Sequence, residues 1–323
     1  MVAIRFGTHE IDLTDGETVL DALLREGIAV PYSCRSGFCQ TCLMCASQGK
    51  PPREAMQGLR DTWKASNYFL ACRCKPVTDL EVRLTGDLPA PVRARVQSVR
   101  PLSQDLLEIG LATDERLDYH PGQFINVESP DGLTRSYSLA SVPGEDDGLL
   151  LQVRRLPGGR VSGWIHETLK PGDTLHIQGP LGDCFYCEGQ PVQPLLLIGT
   201  GSGLAPLCGI ARDALRQGHK GPIHLFHGSR SRDGLYLQDC LKRLAARHPQ
   251  FQYTPCLSGQ DIPPGCARGR VHEVAQARFP CLSGWRVFLC GHPDMVQQAR
   301  MMAFMAGAAI NDIYLDPFNV ALT

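Results

Sequence analysis

Three closely spaced cysteines constrain the fold of this chain more than any other feature of its sequence. Cys34, Cys39 and Cys42 have the spacing C-x4-C-x2-C, and Cys72 is available further along the chain. A 2Fe-2S cluster needs four thiolates, two for each iron, and a tight loop with a distant fourth cysteine is one arrangement that holds it. A zinc site more often shows two C-x2-C pairs or Cys and His pairs. The spacing therefore favours a 2Fe-2S cluster on these four cysteines, with zinc or buried structural cysteines as the alternative.

The cysteines are numerous for a protein of a reducing compartment. The chain has 14 in all, and without oxidation they are expected to be metal ligands or buried apolar residues rather than disulfides. Cys45 and Cys74 lie close to the proposed ligands and are interpreted as bystanders. Cys184 and Cys187 form a C-x2-C pair with no partner pair, and we expect both to pack inside the barrel, with a metal site as the alternative.

The composition excludes several classes of protein. Basic and acidic residues balance at 32 and 33, so no cationic excess exists for binding a nucleic-acid backbone. The N-terminus has no apolar core of signal-peptide length. The most apolar stretch, 195–211, is interrupted by Thr200, Gly201, Ser202 and Gly203, which makes it a poor membrane span. We therefore expect a cytoplasmic protein that binds neither nucleic acid nor a membrane.

Changes in pattern divide the 323 residues into three predicted domains. Residues 1–90 contain a hairpin pattern, an amphipathic helix over 15–27, the cysteine loop and a closing strand. Residues 91–191 carry short alternating runs separated by Gly and Pro, as in an antiparallel barrel, with a helix near 161–169. Residues 192–323 alternate continuous apolar runs with helical stretches, which predicts an open parallel sheet of α/β type.

Four short motifs in the second and third domains have residue types that suit flavin and dinucleotide binding. Arg135-Ser-Tyr-Ser138 supplies a cation for a pyrophosphate, an aromatic ring for stacking and a hydroxyl for hydrogen bonding. Gly159-Arg-Val-Ser162 opens a predicted helix, where free amides favour phosphate. Ile198-Gly-Thr-Gly-Ser-Gly-Leu-Ala-Pro206 follows a buried strand, and its glycines let a pyrophosphate approach the backbone. The fourth motif is Val287-Phe-Leu-Cys-Gly-His-Pro-Asp-Met295; taken alone, each motif is also compatible with an ordinary strand or turn.

Together with the cysteine loop, these motifs resemble a plant-type ferredoxin followed by a ferredoxin–NADP reductase. The whole chain is similar to the three-domain iron–sulfur flavoprotein reductases of bacterial oxygenases, such as those of benzoate dioxygenase, phenol hydroxylase and soluble methane monooxygenase. The resemblance implies a multidomain α+β and α/β protein with a β-grasp ferredoxin domain, a six-stranded antiparallel FAD-binding β-barrel and an open parallel-sheet, Rossmann-like NAD-binding domain. It also implies a 2Fe-2S cluster, FAD and NADH, with FAD favoured over FMN because the ferredoxin-first members use FAD.

The resemblance gives roles to individual residues. Arg135, Tyr137 and Ser138 would hold the flavin, and Cys290 would border the contact between nicotinamide and flavin. Tyr137, Ser138 and Cys290 are therefore the catalytic candidates. Phe318 would cover the flavin, with simple packing of a final strand as the alternative. The residues expected to contact FAD or NADH are Arg135, Tyr137, Ser138, Val153, Gly159, Val161, Ser162, Thr200, Gly201, Gly203, Leu204, Ala205, Pro206, Gly228, Arg230, Cys290, Gly291, Pro293, Met295 and Phe318.

The implied activity is that of an NADH:acceptor oxidoreductase, which passes hydride from NADH to FAD and single electrons through the cluster to a terminal oxygenase. NADH is favoured over NADPH because Gly259 stands where NADP-dependent relatives commonly have Arg, although Arg230 and Arg232 lie nearby in sequence. The oxygenase is expected to dock near the cluster loop, beside Arg35 and Phe38. A CDP-6-deoxyhexose 3-dehydrase is the alternative acceptor, and a scaffold without flavin chemistry is the non-enzyme alternative.

Overall fold

The computed structural model describes residues 2–319 of the chain. They divide into two compact units, one that ends at Leu88 and one that begins at Pro89. The second unit contains two sheets of different type, one antiparallel and one parallel. The multidomain fold class inferred from the sequence is confirmed, whereas the three domain boundaries stay predictions.

The first unit is built on a five-stranded mixed sheet. Its elements are β1 (Ala3–Phe6), β2 (His9–Asp12), α1 (Val19–Arg25), β3 (Leu43–Gln48), α2 (Asp61–Ala65), β4 (Tyr68–Leu70) and β5 (Leu80–Leu84). The strand order is β2-β1-β5-β3-β4, in which β1 and β5 are parallel neighbours and the other pairs are antiparallel. The cysteine loop connects α1 to β3, so the helix and the centre of the sheet hold both of its ends.

Helix α1 begins later than the sequence pattern indicates because Thr18 caps it. The Thr18 hydroxyl accepts a hydrogen bond from the Asp21 amide at 3.2 Å, which satisfies one free amide of the first turn. The Val19 amide donates to the Cys74 carbonyl at 2.8 Å, and Leu23 is fully buried in the core of the unit. These contacts fix the helix against the segment that carries the fourth candidate cysteine ligand.

The first part of the second unit is a six-stranded antiparallel barrel. Its elements are β6 (Val92–Ser103), β7 (Leu106–Thr113), β8 (Phe124–Glu128), β9 (Thr134–Ser138), β10 (Leu149–Arg154), α3 (Arg160–Glu167) and β11 (Thr174–Leu181). The strand order is β10-β7-β6-β11-β8-β9, and an antiparallel bridge between Leu139 and Leu151 joins the two ends of the sheet. Alternate side chains point inward, so Ile109, Ile125 and Val153 meet in one core. The barrel expected from the alternating runs is confirmed.

The rest of the second unit is a six-stranded parallel sheet. Its elements are β12 (Leu195–Thr200), α4 (Leu204–Arg216), β13 (Ile223–Ser229), α5 (Gln238–Arg247), β14 (Phe251–Leu257), β15 (Ala267–Arg268), α6 (Val271–Arg278), β16 (Arg286–Gly291), α7 (Pro293–Met305) and β17 (Ile313–Pro317). The strand order is β15-β14-β13-β12-β16-β17. Leu195 and Leu197 pack into a core with α4 and α5, whereas Leu196 and Ile198 pack into a core with α6 and α7. Burial on both faces explains the continuous apolar run of β12.

The strand order reverses direction at β12, which lies between β13 and β16. Ligands of open parallel sheets bind at the carboxyl ends of the strands beside such a reversal. The glycine-rich turn after β12 and the Cys290–Gly291 turn at the end of β16 therefore lie where a dinucleotide is expected. None of the helices within residues 2–319 has the length and hydropathy needed to span a membrane.

Candidate functional site

The cysteine loop of the first unit directs hydrogen-bond donors toward two of its own sulfur atoms. The Cys34 sulfur accepts from the amides of Ser36 and Cys39 at 3.5 and 3.4 Å. The Cys39 sulfur accepts from the Cys34 amide at 3.5 Å and from the Thr41 hydroxyl at 3.2 Å. Left-handed backbone at Arg35, with φ of 54°, makes this tight path possible. Such donors stabilise thiolates, the form in which cysteine binds a metal.

The four candidate ligands form two pairs of neighbouring sulfurs. Cys34 and Cys39 are the exposed pair, and hydrogen bonds, chiefly with the Ser36 side chain, lower the pKa of Cys34 to about 5. Cys42 and Cys72 are the buried pair, and burial together with the adjacent Cys42 thiol raises the pKa of Cys72 to about 11. Within residues 2–319, no three His, Cys, Asp or Glu side chains converge on one point. Two separate pairs fit a cluster in which each iron takes two thiolates.

The two cysteines expected to be bystanders have other surroundings. The Cys45 thiol donates to the Ser66 carbonyl at 3.5 Å, and burial raises its pKa. Cys74 is fully buried, and burial raises its pKa to about 12. Burial alone does not separate them from buried Cys72, but the pKa of Cys72 is raised also by the adjacent Cys42 thiol, whereas Cys45 bonds a backbone carbonyl and burial is the cause of the raised pKa of Cys74.

In the second unit, the barrel and the parallel sheet together line a cavity of about 710 Å³, called the central cavity below. It collects residues from β9, from the start of α3, from the start of α4 and from the segment after β17. Arg135 supplies a cation, and Tyr137 and Phe318 supply aromatic rings. The residues of the cavity wall that sequence reasoning selected are Arg135, Tyr137, Ser138, Gly159, Val161, Ser162, Ala205 and Phe318.

A hydrogen bond between Ser138 and Asp316 closes one side of the central cavity. The Ser138 hydroxyl at the end of β9 donates to Asp316 Oδ2 on β17 at 2.7 Å, although the two residues are far apart in sequence. Burial raises the pKa of Asp316 to about 6, against the lowering effect of this hydrogen bond. The pair therefore places a proton-holding carboxyl beside the hydroxyl that the sequence singled out.

The motif that opens α3 is explained by close packing between its first and last residues. A Cβ at Gly159 would lie 2.5 Å from the Ser162 hydroxyl oxygen. That oxygen accepts a hydrogen bond from the Leu156 amide at 3.2 Å and so holds the loop against the helix. The first amides of α3 have no carbonyl acceptor within the helix. The N-terminal end of a helix also carries a partial positive charge, which favours a bound anion. This turn, Arg135 and the two aromatic rings fit the phosphates and the ring system of a flavin nucleotide.

The glycine-rich turn after β12 passes the Cys290–Gly291 turn in direct backbone contact. A Cβ at Gly203 would lie 2.3 Å from the Cys290 carbonyl oxygen, and one at Gly291 would lie 2.5 Å from the Thr200 carbonyl oxygen. The Thr200 hydroxyl accepts from the His292 amide at 3.1 Å, which links the two turns again. Side chains at either glycine would force the turns apart, so only glycine permits this approach.

Cys290 itself is fully buried and is not among the residues that line the central cavity. Its sulfur is 3.7 Å from the sulfur of Cys184, which lies just after the last barrel strand, and burial raises the pKa of the Cys290 thiol. Cys184 and Cys187 are both buried, but Cys184 packs in the core of the parallel sheet and not in the barrel core, where we expected it. Cys290 thus joins the barrel to the parallel sheet as a neutral thiol, and its contact with a nicotinamide stays a prediction.

Several other predicted contact residues do not offer their side chains to the cavity. Gly228 is buried beside α6, where a Cβ would lie 2.7 Å from the Val271 side chain. Pro293 is the first residue of α7, and Arg230 is exposed beyond β13. The predicted residues whose side chains are buried in the packed interior, where only backbone atoms remain for a ligand, are Val153, Leu204, Pro206 and Met295.

The polar residues of the central cavity that sequence reasoning missed include Gln152, Arg154 and Asp316. Gln152 Oε1 accepts from the buried Tyr236 hydroxyl at 2.8 Å. The Arg154 guanidinium lies over Gly201, where a Cβ would be 2.7 Å from Nη1. The period of two in β10 was an available signal, because Gln152 and Arg154 flank an inward-facing residue. Asp316 had no such signal, since its position depends on how β17 pairs with β16.

Three domain families match the chain in succession. Residues 4–77 match the 2Fe-2S iron-sulfur cluster binding domain. Residues 93–186 match the oxidoreductase FAD-binding domain, and residues 197–301 match the oxidoreductase NAD-binding domain. The cysteine loop and the paired glycine turns thus fall in segments whose families bind a cluster and NAD, respectively, and the barrel residues of the central cavity fall in the segment whose family binds FAD.

Relatives of known function match nearly the whole chain. It is 36% identical over 312 residues to the reductase subunit of an aromatic O-demethylase from an Amycolatopsis species, covering 91% of this chain and 92% of that protein. It is 33% identical over 326 residues to the reductase component of phenol 2-monooxygenase from a Pseudomonas species, covering 96% and 92%. A solved Amycolatopsis cytochrome P450 reductase matches with a TM-score of 0.69 at 34% identity, covering 98% of this chain and 99% of that chain.

Proposed function

Because this chain belongs to the family of iron–sulfur flavoprotein reductases that serve oxygenase systems, we propose that it oxidises NADH and delivers electrons to a terminal oxygenase. It is an oxidoreductase with a 2Fe-2S domain, an FAD-binding domain and an NAD-binding domain. The observation that carries the proposal is the convergence of barrel and parallel sheet on one cavity, at the reversal point where a dinucleotide is expected.

When bound, FAD takes up two electrons as hydride and releases them singly, and the cluster accepts one electron at a time. The protein's task is to hold these groups in place. Arg135 and the first amides of α3 would bind the pyrophosphate, and Tyr137 and Phe318 would contact the ring system. The four cysteines Cys34, Cys39, Cys42 and Cys72 would hold the cluster.

We propose that Asp316 binds and releases a proton at the wall of the central cavity, in hydrogen-bond contact with Ser138. The pKa of Asp316, about 6, lies close enough to neutrality for the carboxyl to gain and lose a proton under ordinary conditions. While the carboxylate is ionised, the Ser138 hydroxyl donates to it. When Asp316 is protonated, it can donate to Ser138 Oγ instead, which frees the hydroxyl hydrogen for an acceptor in the cavity.

The preference for NADH is supported by the backbone around Gly259. Its amide donates to the Arg230 carbonyl at 3.0 Å, and a Cβ at this position would lie 2.4 Å from that carbonyl oxygen. An arginine for the 2′-phosphate of NADPH therefore does not fit at this position without movement of the backbone. Arg230 and Arg268 are exposed at the ends of the strands on either side of β14, so both nucleotides need to be compared directly.

The oxygenase is proposed to dock on the exposed side of the cluster loop. Cys34 and Cys39 are exposed there, and a short path through an exposed ligand pair favours electron transfer to an external protein. Phe38, at the tip of the loop, is 89% exposed. The Arg35 guanidinium lies 4.9 Å from the centre of the Tyr32 ring beside it. Exposed aromatic and arginine side chains are typical anchors of protein interfaces.

A cytoplasmic location is proposed from the state of the cysteines. None of the 14 cysteines is in a disulfide within residues 2–319, and Cys240 and Cys281, which are not cluster candidates, are exposed. Free exposed thiols persist in a reducing compartment and tend to form disulfides outside it.

An anaerobic absorption titration of the purified protein tests the proposal, with NADH and NADPH in parallel. Bleaching of both flavin and iron–sulfur bands at low NADH, with NADPH lagging, is expected. Flavin absorption without iron–sulfur absorption after anaerobic reconstitution would contradict the role of the cysteine loop. A strong preference for NADPH would refute the argument from Gly259 and point to Arg230 and Arg268 as phosphate ligands.

A further inference from the structure

The charged residues of the first unit are unevenly distributed along its sequence. Residues 27–78, which lie between α1 and β5 and include all four candidate cluster ligands, contain seven Lys or Arg and two Asp or Glu. The remainder of residues 1–88 contains three Lys or Arg and nine Asp or Glu. The nearly balanced charge of the whole unit therefore conceals a basic segment that carries the cluster loop and an acidic remainder.

The strand order separates part of the acidic remainder from the candidate cluster ligands. β2, which carries Glu10 and Asp12, is one edge strand of the sheet, and β4 is the other. Cys72 lies just after β4, so four strand spacings of about 4.8 Å, or about 19 Å in all, separate it from the acidic edge. Salt screens exposed charges over about 8 Å at physiological ionic strength. A protein that docks at the cluster loop therefore senses the charges around the loop rather than the net charge of the unit.

Two arginines lie at the cluster loop itself. Arg35 is exposed within the loop and forms an ion pair with Asp21 at 3.4 Å. Arg73 directly follows Cys72, and a Cβ at Gly37 would lie 3.2 Å from the Arg73 Cγ, so the Arg73 side chain runs beside the loop. Arg73 is exposed, and within residues 2–319 no carboxylate lies at ion-pair distance from it. Its charge is therefore available to an external partner.

Two further arginines come from the segment that flanks the loop. The turn Arg53–Met56 lies beside the turn Ala71–Arg73, and Arg53 is exposed. The Gln40 side-chain amide donates to the Gly58 carbonyl at 3.3 Å, which holds the residues before Arg60 against the loop. Arg35, Arg53, Arg60 and Arg73 are called the basic cluster face below.

The two acidic residues of segment 27–78 do not offset the basic cluster face. Asp61 forms an ion pair with Lys64 at 3.2 Å, which leaves Glu54 beside Arg53 and Arg73. Phe38, the most exposed of the large apolar side chains, lies on the same loop as Arg35. An aromatic side chain surrounded by charged ones is the arrangement of a protein interface with an apolar centre and a polar rim.

We propose that the acceptor protein docks on the basic cluster face through a surface rich in Asp and Glu, with an apolar depression that receives Phe38. The inference rests on the proposed function, in which electrons leave the protein at the cluster loop, and adds the chemistry of the partner. Complementary charges raise the rate of association about 10- to 1,000-fold at low salt. An acceptor with a basic docking surface is disfavoured by the same argument.

Two forms of one soluble electron acceptor with opposite charge test this inference. Native cytochrome c has a lysine-rich surface, and succinylation of its lysines makes the same haem protein acidic. Each molecule takes one electron, which reduces its ferric haem to ferrous, and the cluster-free Cys39→Ser variant measures any reduction that bypasses the cluster. The NADH-reduced holoenzyme is expected to reduce the succinylated form about tenfold or more faster than the native form at low salt, and added NaCl should remove the difference. Calorimetric titration of the holoenzyme with the oxidised succinylated form, without NADH, measures binding independently of turnover.

Arg53→Gln and Arg73→Gln each remove one cation from the basic cluster face. Each is expected to weaken binding and slow reduction of the succinylated form about two- to fivefold, and both together about tenfold. Lys50→Gln is the matched control, because it removes the same charge beyond the far end of β3, about 20 Å from the loop. Arg53→Gln keeps the test decisive where Arg73→Gln disturbs its neighbour Cys72, which a change in iron–sulfur absorption would reveal.

Faster reduction of native cytochrome c at low salt, or rates that do not depend on salt, would overturn the inference. Equal effects of Lys50→Gln and the two arginine variants would overturn it as well, because the charge would then act without regard to its position. Bleaching of the flavin and iron–sulfur bands by NADH is recorded before any cytochrome is added. Its failure in the wild type would refute the proposed function, whereas its persistence in every variant would confine a negative result to the docking surface.

Discussion

Replacement of Asp316 by asparagine is expected to stabilise the second unit at neutral pH and to leave its stability in acid nearly unchanged. Burial raises the pKa of this carboxyl from 3.8 to about 6, because the surrounding protein solvates the charged form less well than water does. A carboxyl whose pKa rises on folding contributes stability that is fully present below pH 3.8 and is lost as the pH rises through about 6. Each unit of difference in pKa between the folded and unfolded states corresponds to 1.36 kcal/mol, so well above pH 6 the loss in the free energy of unfolding is about 3 kcal/mol.

Asparagine has nearly the same shape and carries no charge, so it avoids this loss and can still accept from Ser138. The assay is urea unfolding of flavin-free protein, followed by tryptophan fluorescence at about pH 4 and about pH 8. The Asp316→Asn variant should exceed the wild type by about 3 kcal/mol at the higher pH and by less than about 1 kcal/mol at the lower one. Asp118→Asn is the control, because the Asp118 side chain is 91% exposed and should show no such pH dependence. An equal effect of Asp316→Asn at both pH values would refute the reasoning.

Three further changes test the other parts of the molecule. Cys39→Ser should abolish iron–sulfur absorption and oxygenase reduction, while NADH-dependent reduction of a soluble quinone persists, as absorption spectra and acceptor assays will show. Gly203→Ala places a Cβ 2.3 Å from the Cys290 carbonyl oxygen, so it should cost about 1–3 kcal/mol of stability and slow flavin reduction in stopped-flow measurements. Replacing Arg230 and Arg232 with Ala should leave the KM for NADH within about twofold of wild type in steady-state assays.

Each of these changes has a control or a contrary outcome. Simultaneous loss of quinone and oxygenase reduction in Cys39→Ser would argue against separate flavin and cluster functions. Gly86→Ala controls for Gly203→Ala, because a Cβ at Gly86 meets no atom within 4 Å and should leave stability and flavin reduction unchanged. A large rise in the KM for NADH in the arginine variants would show that these side chains bind the nucleotide that the protein prefers.

The sequence was sufficient for the fold class because the relevant signals are local and periodic. Alternating residues of β10 and the continuous apolar run of β12 distinguish a barrel from a parallel sheet. A strand buried on one face alternates apolar and polar residues, whereas a strand buried on both faces is apolar throughout. The start of α1 was predicted too early, because a helix pattern gives the apolar face, whereas the cap at Thr18 decides where the helix begins.

Local motifs also supplied the candidates for the cluster and flavin residues. The spacing of Cys34, Cys39 and Cys42 is a property of one loop, and Arg135, Tyr137 and Ser138 belong to one strand. The tertiary structure added the contacts between residues that are distant in sequence. Only the pairing of β17 with β16 brings Asp316 to Ser138, and only the packing of barrel against sheet buries Cys290 against Cys184.

The sequence by itself determined which chemistry this protein carries, because cluster ligation and phosphate binding require particular residue types at short, fixed spacings. The tertiary structure alone decided which of those residues line the central cavity and which are buried in a core. Leu204 and Met295 belong to motif segments and Val153 belongs to β10, yet all three point into cores because alternation and helical period assign each position a direction. The pKa of Asp316 was likewise beyond the sequence, since desolvation depends on every element packed around a carboxyl rather than on its neighbours in the chain.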